Sequence, residues 1–344
     1  MEKIPLCGLF PEEICSQLGI SPAFRGKQIY LWIAKGVSSF EQMKNLDKKT
    51  LDLLNEKATI YSSKITQKLV DPDGTIKLQI TLHDGRAIET VLLTDAEGRK
   101  TACVSCQAGC AMGCAFCQTG QLGLGRNLTA GEIVEEFFYM EKEAGTLDNI
   151  VFMGMGEPMQ NLEAIRKTVN ILTDKNGRAL SGRRITLSTS GITKGIYDLA
   201  DNGPKIRLAV SLTTADEDLR LQLMPVTKGN PLSELKKAIQ YYIEKTGKRV
   251  TLEAALLSEK NTSRESAERL IAFARGMDVY INLIPWNPVG GLDFKTPSNN
   301  ECHRFVSILE DAGLNVNLRT RRGTTIGGAC GQLGKSLLHK ELED

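Results

Sequence analysis

Cys103-Val-Ser-Cys106-Gln-Ala-Gly-Cys110-Ala-Met-Gly-Cys114-Ala-Phe-Cys117 holds five of the nine cysteines of a 344-residue chain. Within it, Cys110, Cys114 and Cys117 are spaced C-x3-C-x2-C. Three thiolates on one tight loop can bind three irons of a cubane and leave the fourth open to an exchangeable ligand. The small residues Gly109, Ala111, Gly113 and Ala115 let the backbone curl around such a cluster and bring N–H groups to its sulfurs. The same text contains two C-x2-C knuckles, Cys103/Cys106 and Cys114/Cys117, which suit a closed zinc site. Spacing alone leaves both readings open.

From about residue 101 onward, strand and helix patterns alternate. Apolar runs predict strands near 101–106, 149–153, 184–188, 206–212, 249–256 and 278–284, and helices near 129–144, 161–174, 193–201, 231–246, 263–275 and 298–312. Thr129-Ala-Gly-Glu132 reads as a capping box, and Pro231 suits a first helical turn. Repeated strand–helix units of this kind give an α/β fold: a parallel sheet, open or curled into a partial (β/α)6 barrel. Such sheets bind ligands beyond the carboxyl ends of their strands.

Upstream, residues 1–60 read as a small helical accessory module, with Ile29, Leu31, Trp32 and Ile33 near one helical face and Leu46, Leu51, Leu53 and Leu54 suggesting another helix. Residues 61–100 carry a β-hairpin signal, His83-Asp84-Gly85 between alternating apolar runs. The barrel is then expected over 101–320, with a C-terminal loop and tail over 321–344. Hydrophobic content of 41%, charged content of 24% and a net charge of +2 describe an ordinary globular protein, and the basic residues bind nucleic acid only if clustered. No run approaches the ~20 apolar residues of a membrane span, and the start lacks a secretory signal, so a cytoplasmic protein without a membrane partner is expected. In a reducing compartment nine cysteines point to metal or redox chemistry rather than a disulfide framework.

Five texts carry a resemblance. Cys103-Val-Ser…Gln107-x-Gly-Cys110, Phe152-Met-Gly-Met-Gly-Glu-Pro158, Thr186-Leu-Ser-Thr-Ser-Gly191, Asn282-Leu-Ile-Pro-Trp-Asn-Pro288 and Ala329-Cys-Gly-Gln-Leu333 resemble, in order, the RlmN/Cfr family of radical-SAM RNA adenosine methyltransferases. The resemblance runs from the helical module to about Leu333. It implies a [4Fe–4S] cluster on Cys110, Cys114 and Cys117, and S-adenosylmethionine, two molecules per turnover, framed by Gly156, Glu157, Ser188, Ser211, Leu212, Thr213 and Asn287. It further implies Cys330 as the methyl-carrying thiol, Cys103 as the thiol that releases product and is left in a disulfide, and Glu89 as the general base. Its substrates would be 23S rRNA and tRNA, its electron donor a low-potential protein such as flavodoxin or ferredoxin, and its state a monomer. The Ile-Pro-Trp-Asn-Pro text favours the RlmN type, which methylates C2, over the C8-methylating Cfr type.

The chain departs from the family pattern at Thr213, where a histidine is common, and at Thr325-Ile-Gly-Gly-Ala-Cys330, which lacks two acidic residues of the usual Asp-Ile-Asp-Ala-Ala-Cys. These departures keep open a radical-SAM enzyme with another substrate, and the knuckles keep open a zinc-bound RNA-binding protein. Glycines around Cys330 suggest a bare, flexible loop. Arg319, Arg321, Arg322, Arg183, Arg184, Arg25, Lys27 and Arg126 are the candidate RNA contacts, and Cys106 has no assigned role.

Overall fold

Short runs of valine, isoleucine and leucine bounded by polar turns build a ten-stranded sheet. The computed structural model describes residues 3–334 and Leu337. Three strands, β1 (Lys64–Val70), β2 (Ile76–Thr81) and β3 (Ala87–Thr94), form an antiparallel meander. Seven follow, each parallel to the next: β4 (Lys100–Cys103), β5 (Asn149–Phe152), β6 (Ile185–Thr189), β7 (Arg207–Ser211), β8 (Val250–Leu256), β9 (Val279–Pro285) and β10 (Val316–Leu318). The strands lie in sequence order, and β1 and β10 remain open edges, so the barrel is partial.

A helix follows each of the strands β4 to β9. In the N-terminal module α1 (Pro11–Leu18), α2 (Phe24–Ala34) and α3 (Lys48–Lys57) come first; the barrel then adds α4 (Ala130–Ala144), α5 (Leu162–Thr173), α6 (Thr193–Asn202), α7 (Leu232–Thr246), α8 (Arg264–Ala274) and α9 (Asn299–Asp311). These match the six expected βα units. Thr129 and Glu132 close the expected capping box on α4, while Pro231 stands one place earlier than expected, at the N-cap of α7 with extended ψ. Buried side chains from Leu6 to Leu333 form the main apolar core, and Leu223, Met224, Leu257, Trp286 and Val289 form a second, smaller one.

Four features differ from the sequence reading. The hairpin is a meander, and β3 pairs with β4, so it extends the barrel sheet. Asp84-Gly85 does make the turn, with Gly85 at φ 82°. The first barrel strand stops at Cys103; Gln107–Cys110 instead pairs with Gly123–Asn127 in a separate ribbon. On α2 the buried face is Gly26, Ile29, Tyr30 and Ile33, and Leu31 is exposed, since it lies about 200° around the helix from Ile29. Leu46 precedes the third helix, whose N-cap is Asp47. The module is docked onto the barrel by Tyr30 Oη donating to the Ile171 carbonyl at 3.3 Å and by a 2.7 Å Lys167–Glu13 ion pair.

Candidate active site

The cysteine loop starts at the carboxyl end of β4, on the rim where sheet ligands bind. Cys110 ends the ribbon strand, Cys114 lies in the following turn, and Cys117 is the N-cap of the short helix Gln118–Gln121. Glycines make these close passages possible. A Cβ on Gly109, at φ 82°, would fall 2.0 Å from the Gly123 carbonyl oxygen. Burial, then the neighbouring Cys117 sulfur, raises the Cys110 thiol to about 12; burial, then Cys117 and Cys110, also raises Cys114. Burial raises Cys117 against backbone N–H donors from Gly120 and Thr119. Met112 supplies such a donor to Cys110. Thiols that feel one another's charge, two of them met by backbone N–H groups, are the donor chemistry an iron–sulfur cluster takes, and among the described residues no three His, Cys, Asp or Glu side chains already stand gathered as metal ligands.

The turn after β5 runs directly over this loop. Gly156 has φ 104°, and a Cβ there would meet Gln107 Cβ at 2.6 Å, so only glycine fits. Gln107 Oε1 accepts the Glu157 N–H at 2.8 Å. Glu157 is buried, and its carboxylate accepts from Met159 N at 3.0 Å, Thr189 Oγ1 at 2.7 Å and Ser190 N at 2.7 Å. Burial outweighs these bonds and raises its pKa. Glu157 therefore ties the rims of β5 and β6 together. Ser188 lies on β6, and Ser211, Leu212 and Thr213 close β7. Thr213 takes φ 63°, an uncommon conformation for a non-glycine residue, held by its N–H to the Glu253 carbonyl at 3.1 Å and by Asn261 Nδ2 donating to its own carbonyl at 2.9 Å. Ser211, Glu253, Asn282 and Asn317 stand in register across β7 to β10, with Asn282 donating to Glu253 and Asn317 to Asn282.

Cys330 arrives from the far end of the chain. Contrary to the flexible loop expected from its glycines, its segment is clamped on both sides. Asn287 Nδ2 donates to the Cys330 carbonyl at 3.1 Å, Gln118 N to Gly331 O at 2.7 Å, and Thr119 Oγ1 to Leu333 O at 2.7 Å. The meander grips the other side. Asp71 accepts from Thr325 N at 3.0 Å and from its hydroxyl at 2.6 Å, and Asp73 accepts from Gly323 N at 2.9 Å. Lys77 pairs with Glu89 at 2.9 Å, Lys77 Nζ also donates to Gly327 O at 3.3 Å, and Glu89 accepts from Gly334 N at 2.7 Å. Hydrogen bonds to neutral glycines and a threonine replace carboxylates here: an aspartate at 325 would meet Asp71, and Gly327 takes φ 63° with Lys77 Nζ 3.5 Å from its Cβ position. That is the physical content of the departure from Asp-Ile-Asp.

The clamp places Cys330 among the other thiols. Burial, then the Cys330 sulfur, raises Cys103 to about 12; burial, then Cys117 and Glu253, raises Cys330 to about 11, with Arg319 opposing both. Cys330 itself is exposed, so solvent reaches the residue even though protein crowds the neighbourhood of its sulfur. Glu89, expected on a strand face of unknown side, is wholly buried beneath this segment. Cys106 is a core thiol, its backbone bonded to Met155 and Asn161. Glu136 on α4 is buried beside Ser105, whose N–H it accepts at 2.8 Å; among the described residues its second carboxylate oxygen accepts no hydrogen bond within ordinary distance, and burial lifts its pKa far up.

Sequence reasoning missed Lys77, Asp71, Glu136, Glu253 and Arg220. Charged side chains on a turn, a strand or a short helix look solvated, and only the partner strands show that they face inward. Of the expected RNA contacts, Arg319 and Arg321 are exposed, and Arg319 acts electrostatically on Cys330. Arg126 is instead tied to Glu132 and Asp84, each at 2.7 Å, and Arg25 to Asp47.

Residues 104–271 match the Radical SAM superfamily, and residues 12–60 match the ribosomal RNA large subunit methyltransferase N-terminal domain. A probable dual-specificity RNA methyltransferase RlmN of Treponema denticola is 59% identical over 334 residues, covering 97% of this chain and 96% of that protein. A protein of the same description from Treponema pallidum is 52% identical over 331 residues, covering 96% and 97%. A crystal structure of a radical SAM methyltransferase from Sphaerobacter thermophilus superposes with a TM-score of 0.92 at 40% identity, covering 96% of this chain and 99% of that one. Radical-SAM proteins use a [4Fe–4S] cluster and S-adenosylmethionine, and these are the cofactors of this chain. With relatives this similar along nearly its whole length, the chain belongs to the RlmN/Cfr family of radical-SAM methyltransferases.

Proposed function

We propose that this protein methylates C2 of an adenosine in 23S rRNA, and in tRNA, by way of a methylated Cys330, acting as a cytoplasmic monomer fed by a flavodoxin- or ferredoxin-like donor. The observation that supports the reading is the return of the Cys330 segment, 227 positions after Cys103, onto the cysteine loop, where Gln118 N donates to Gly331 O at 2.7 Å and Thr119 Oγ1 to Leu333 O at 2.7 Å. Adenine C2 bears an unacidic hydrogen, so a polar methyl transfer fails there. When bound, the cofactors supply a methyl group and a carbon radical able to take hydrogen from a methyl thioether.

In this reading Cys110, Cys114 and Cys117 hold the cluster, and Gly156, Glu157, Ser188, Ser211, Leu212, Thr213 and Asn287 frame the two S-adenosylmethionine molecules used per turnover. Gly156 allows close approach because it lacks a Cβ, and Asn287 fixes the Cys330 carbonyl while its own Oδ1 has no hydrogen-bond partner among the described residues. Cys330 carries the one-carbon unit to the adenine ring. Glu89 takes the ring proton; Gly334 covers it, so that contact must open when RNA binds. Cys103 then attacks the Cys330 sulfur, freeing the product and leaving a Cys103–Cys330 disulfide for an external reductant. The adenine leaves its stack to reach these groups, and the exposed Arg319 would meet its phosphates.

The test is anaerobic incubation of reconstituted protein with S-adenosylmethionine, reductant and protein-free ribosomal RNA, read by mass spectrometry of the digested RNA. The expected product is 2-methyladenosine, absent with Cys330→Ala. Methylation at C8 alone would replace the C2 assignment, and cofactor cleavage without methylated RNA would overturn the substrate.

A further inference from the structure

Arg220 lies on the short helix Glu217–Leu223 and is among the largest wholly buried side chains. Its Nε donates to the Leu212 carbonyl at 3.0 Å, Nη1 to Thr227 Oγ1 at 2.7 Å, and Nη2 to the carbonyls of Ser190 at 2.7 Å and Ser211 at 3.3 Å. Every one of these acceptors is neutral, and among the described residues no carboxylate pairs with it. A buried cation without a counter-charge costs several kcal/mol. Burial pulls the guanidinium down to about 10, and the first group opposing that fall is the Cys114 sulfur, ahead of Glu217.

The helix is seated on the cluster loop. Ala115 N donates to the Leu223 carbonyl at 2.9 Å, Cys114 and Phe116 pack against the cluster containing Leu223 and Met224, and Gly113 comes within 3.8 Å of Pro225 at its Cβ position. The hydrogen bonds to Ser190, Ser211 and Leu212 also fasten the guanidinium to the carboxyl ends of β6 and β7, so the charge cannot swing away.

We propose that Arg220 is the built-in counter-charge of the iron–sulfur cluster, a positioning residue that compensates the anionic cluster inside the protein and sets its reduction potential. This rests on the assignment of the cluster to Cys110, Cys114 and Cys117. An oxidised cubane with three thiolates is an anion, and reduction adds one further negative charge. A fixed cation in a low-dielectric site therefore stabilises the reduced form more than the oxidised one. Without it the cluster becomes harder to reduce.

The test compares full-length wild type with Arg220→Met and Arg220→Lys, each reconstituted anaerobically without RNA. Iron content, the midpoint potential from a redox titration followed by electron paramagnetic resonance, and the rise in melting temperature on cluster loading are measured. The expected result is a more negative potential and a smaller thermal gain in Arg220→Met, with Arg220→Lys nearer wild type. Cluster uptake lost in Arg220→Met but kept in Arg220→Lys also supports the proposal. A fully loaded Arg220→Met with wild-type potential and thermal gain overturns it, as does equal loss of cluster in both variants, which assigns a purely structural role. A Cys110→Ala control separates the two levels: if that variant still takes up a complete cluster, the cluster assignment itself fails.

Discussion

Replacing Lys77 by methionine tests the clamp that presents Cys330. Lys77 and Glu89 pair at 2.9 Å with side chains only 5% and 0% exposed, so their charges compensate each other out of reach of water. They are diagonal neighbours, since Gln79 is the residue opposite Glu89 and Lys77 lies two positions along β2. Methionine keeps the aliphatic stem but takes the Lys77 charge from beside the buried Glu89 carboxylate. Removing one partner of a buried pair costs about 3–5 kcal/mol. Glu89 retains the Gly334 N–H, which places the expected loss near the lower end, at about 3 kcal/mol. The loss of the Lys77 bond to Gly327 should also loosen the segment locally. Urea unfolding of the metal-free protein reads the first effect, and the rate of iodoacetamide labelling at Cys330 reads the second. Adding Glu89→Gln to Lys77→Met should restore much of the stability, because no charge is then left buried. A loss below about 1 kcal/mol in the single variant, where buried pairs are worth several, or a double variant no more stable than the single, would refute this account of the clamp.

Asp71→Ala removes both bonds to Thr325 and should speed Cys330 labelling while leaving labelling of Cys15, remote from the clamp, unchanged; equal rates would show that the turn does not hold the segment. Glu136→Gln should be stabilising relative to wild type at pH 8 and less so at pH 5. The raised carboxyl pKa means that the native state favours the protonated form. Its contribution is full below the ordinary carboxylate range and is lost as pH rises through the raised value; glutamine does not titrate. Parallel pH–stability curves for the two proteins would contradict it. Gly156→Ala should weaken S-adenosylmethionine binding at least tenfold by equilibrium dialysis, because the new methyl meets Gln107 at 2.6 Å and φ 104° disfavours alanine; unchanged binding would show that the turn gives way freely.

Much of the barrel was legible because its signals are local. Apolar runs of five to seven residues gave β6 to β9, and Thr129 marked a helix start with a side chain that does cap it; the structure adds Ser263 and Ser298 as caps of α8 and α9. What escaped was decided by partners distant in sequence. β10 has three half-buried residues and exists because β9 offers an edge; β1 is mostly exposed and polar, with no apolar alternation to announce it. The first strand was read through to residue 106, but Val104 N and Cys106 N bond to Val151 and Met155, which turns the chain away after Cys103. At the site, spacing drew attention to the cysteine loop, whereas Lys77 and Arg220 resemble any solvated charge. Their burial follows from the return of the C-terminal segment across the meander and from the seating of a short helix on the cysteine loop.

The central claim is that Cys330 carries the carbon that reaches the RNA and that Cys103 releases it. Its most direct test is Cys103→Ala, reconstituted and incubated with both cofactor components, reductant and substrate RNA, then digested and examined by intact-mass and peptide mass spectrometry. The expected result is RNA linked covalently through one carbon to the peptide containing Cys330, with little free methylated adenosine. Wild-type amounts of free 2-methyladenosine without an adduct would contradict the account.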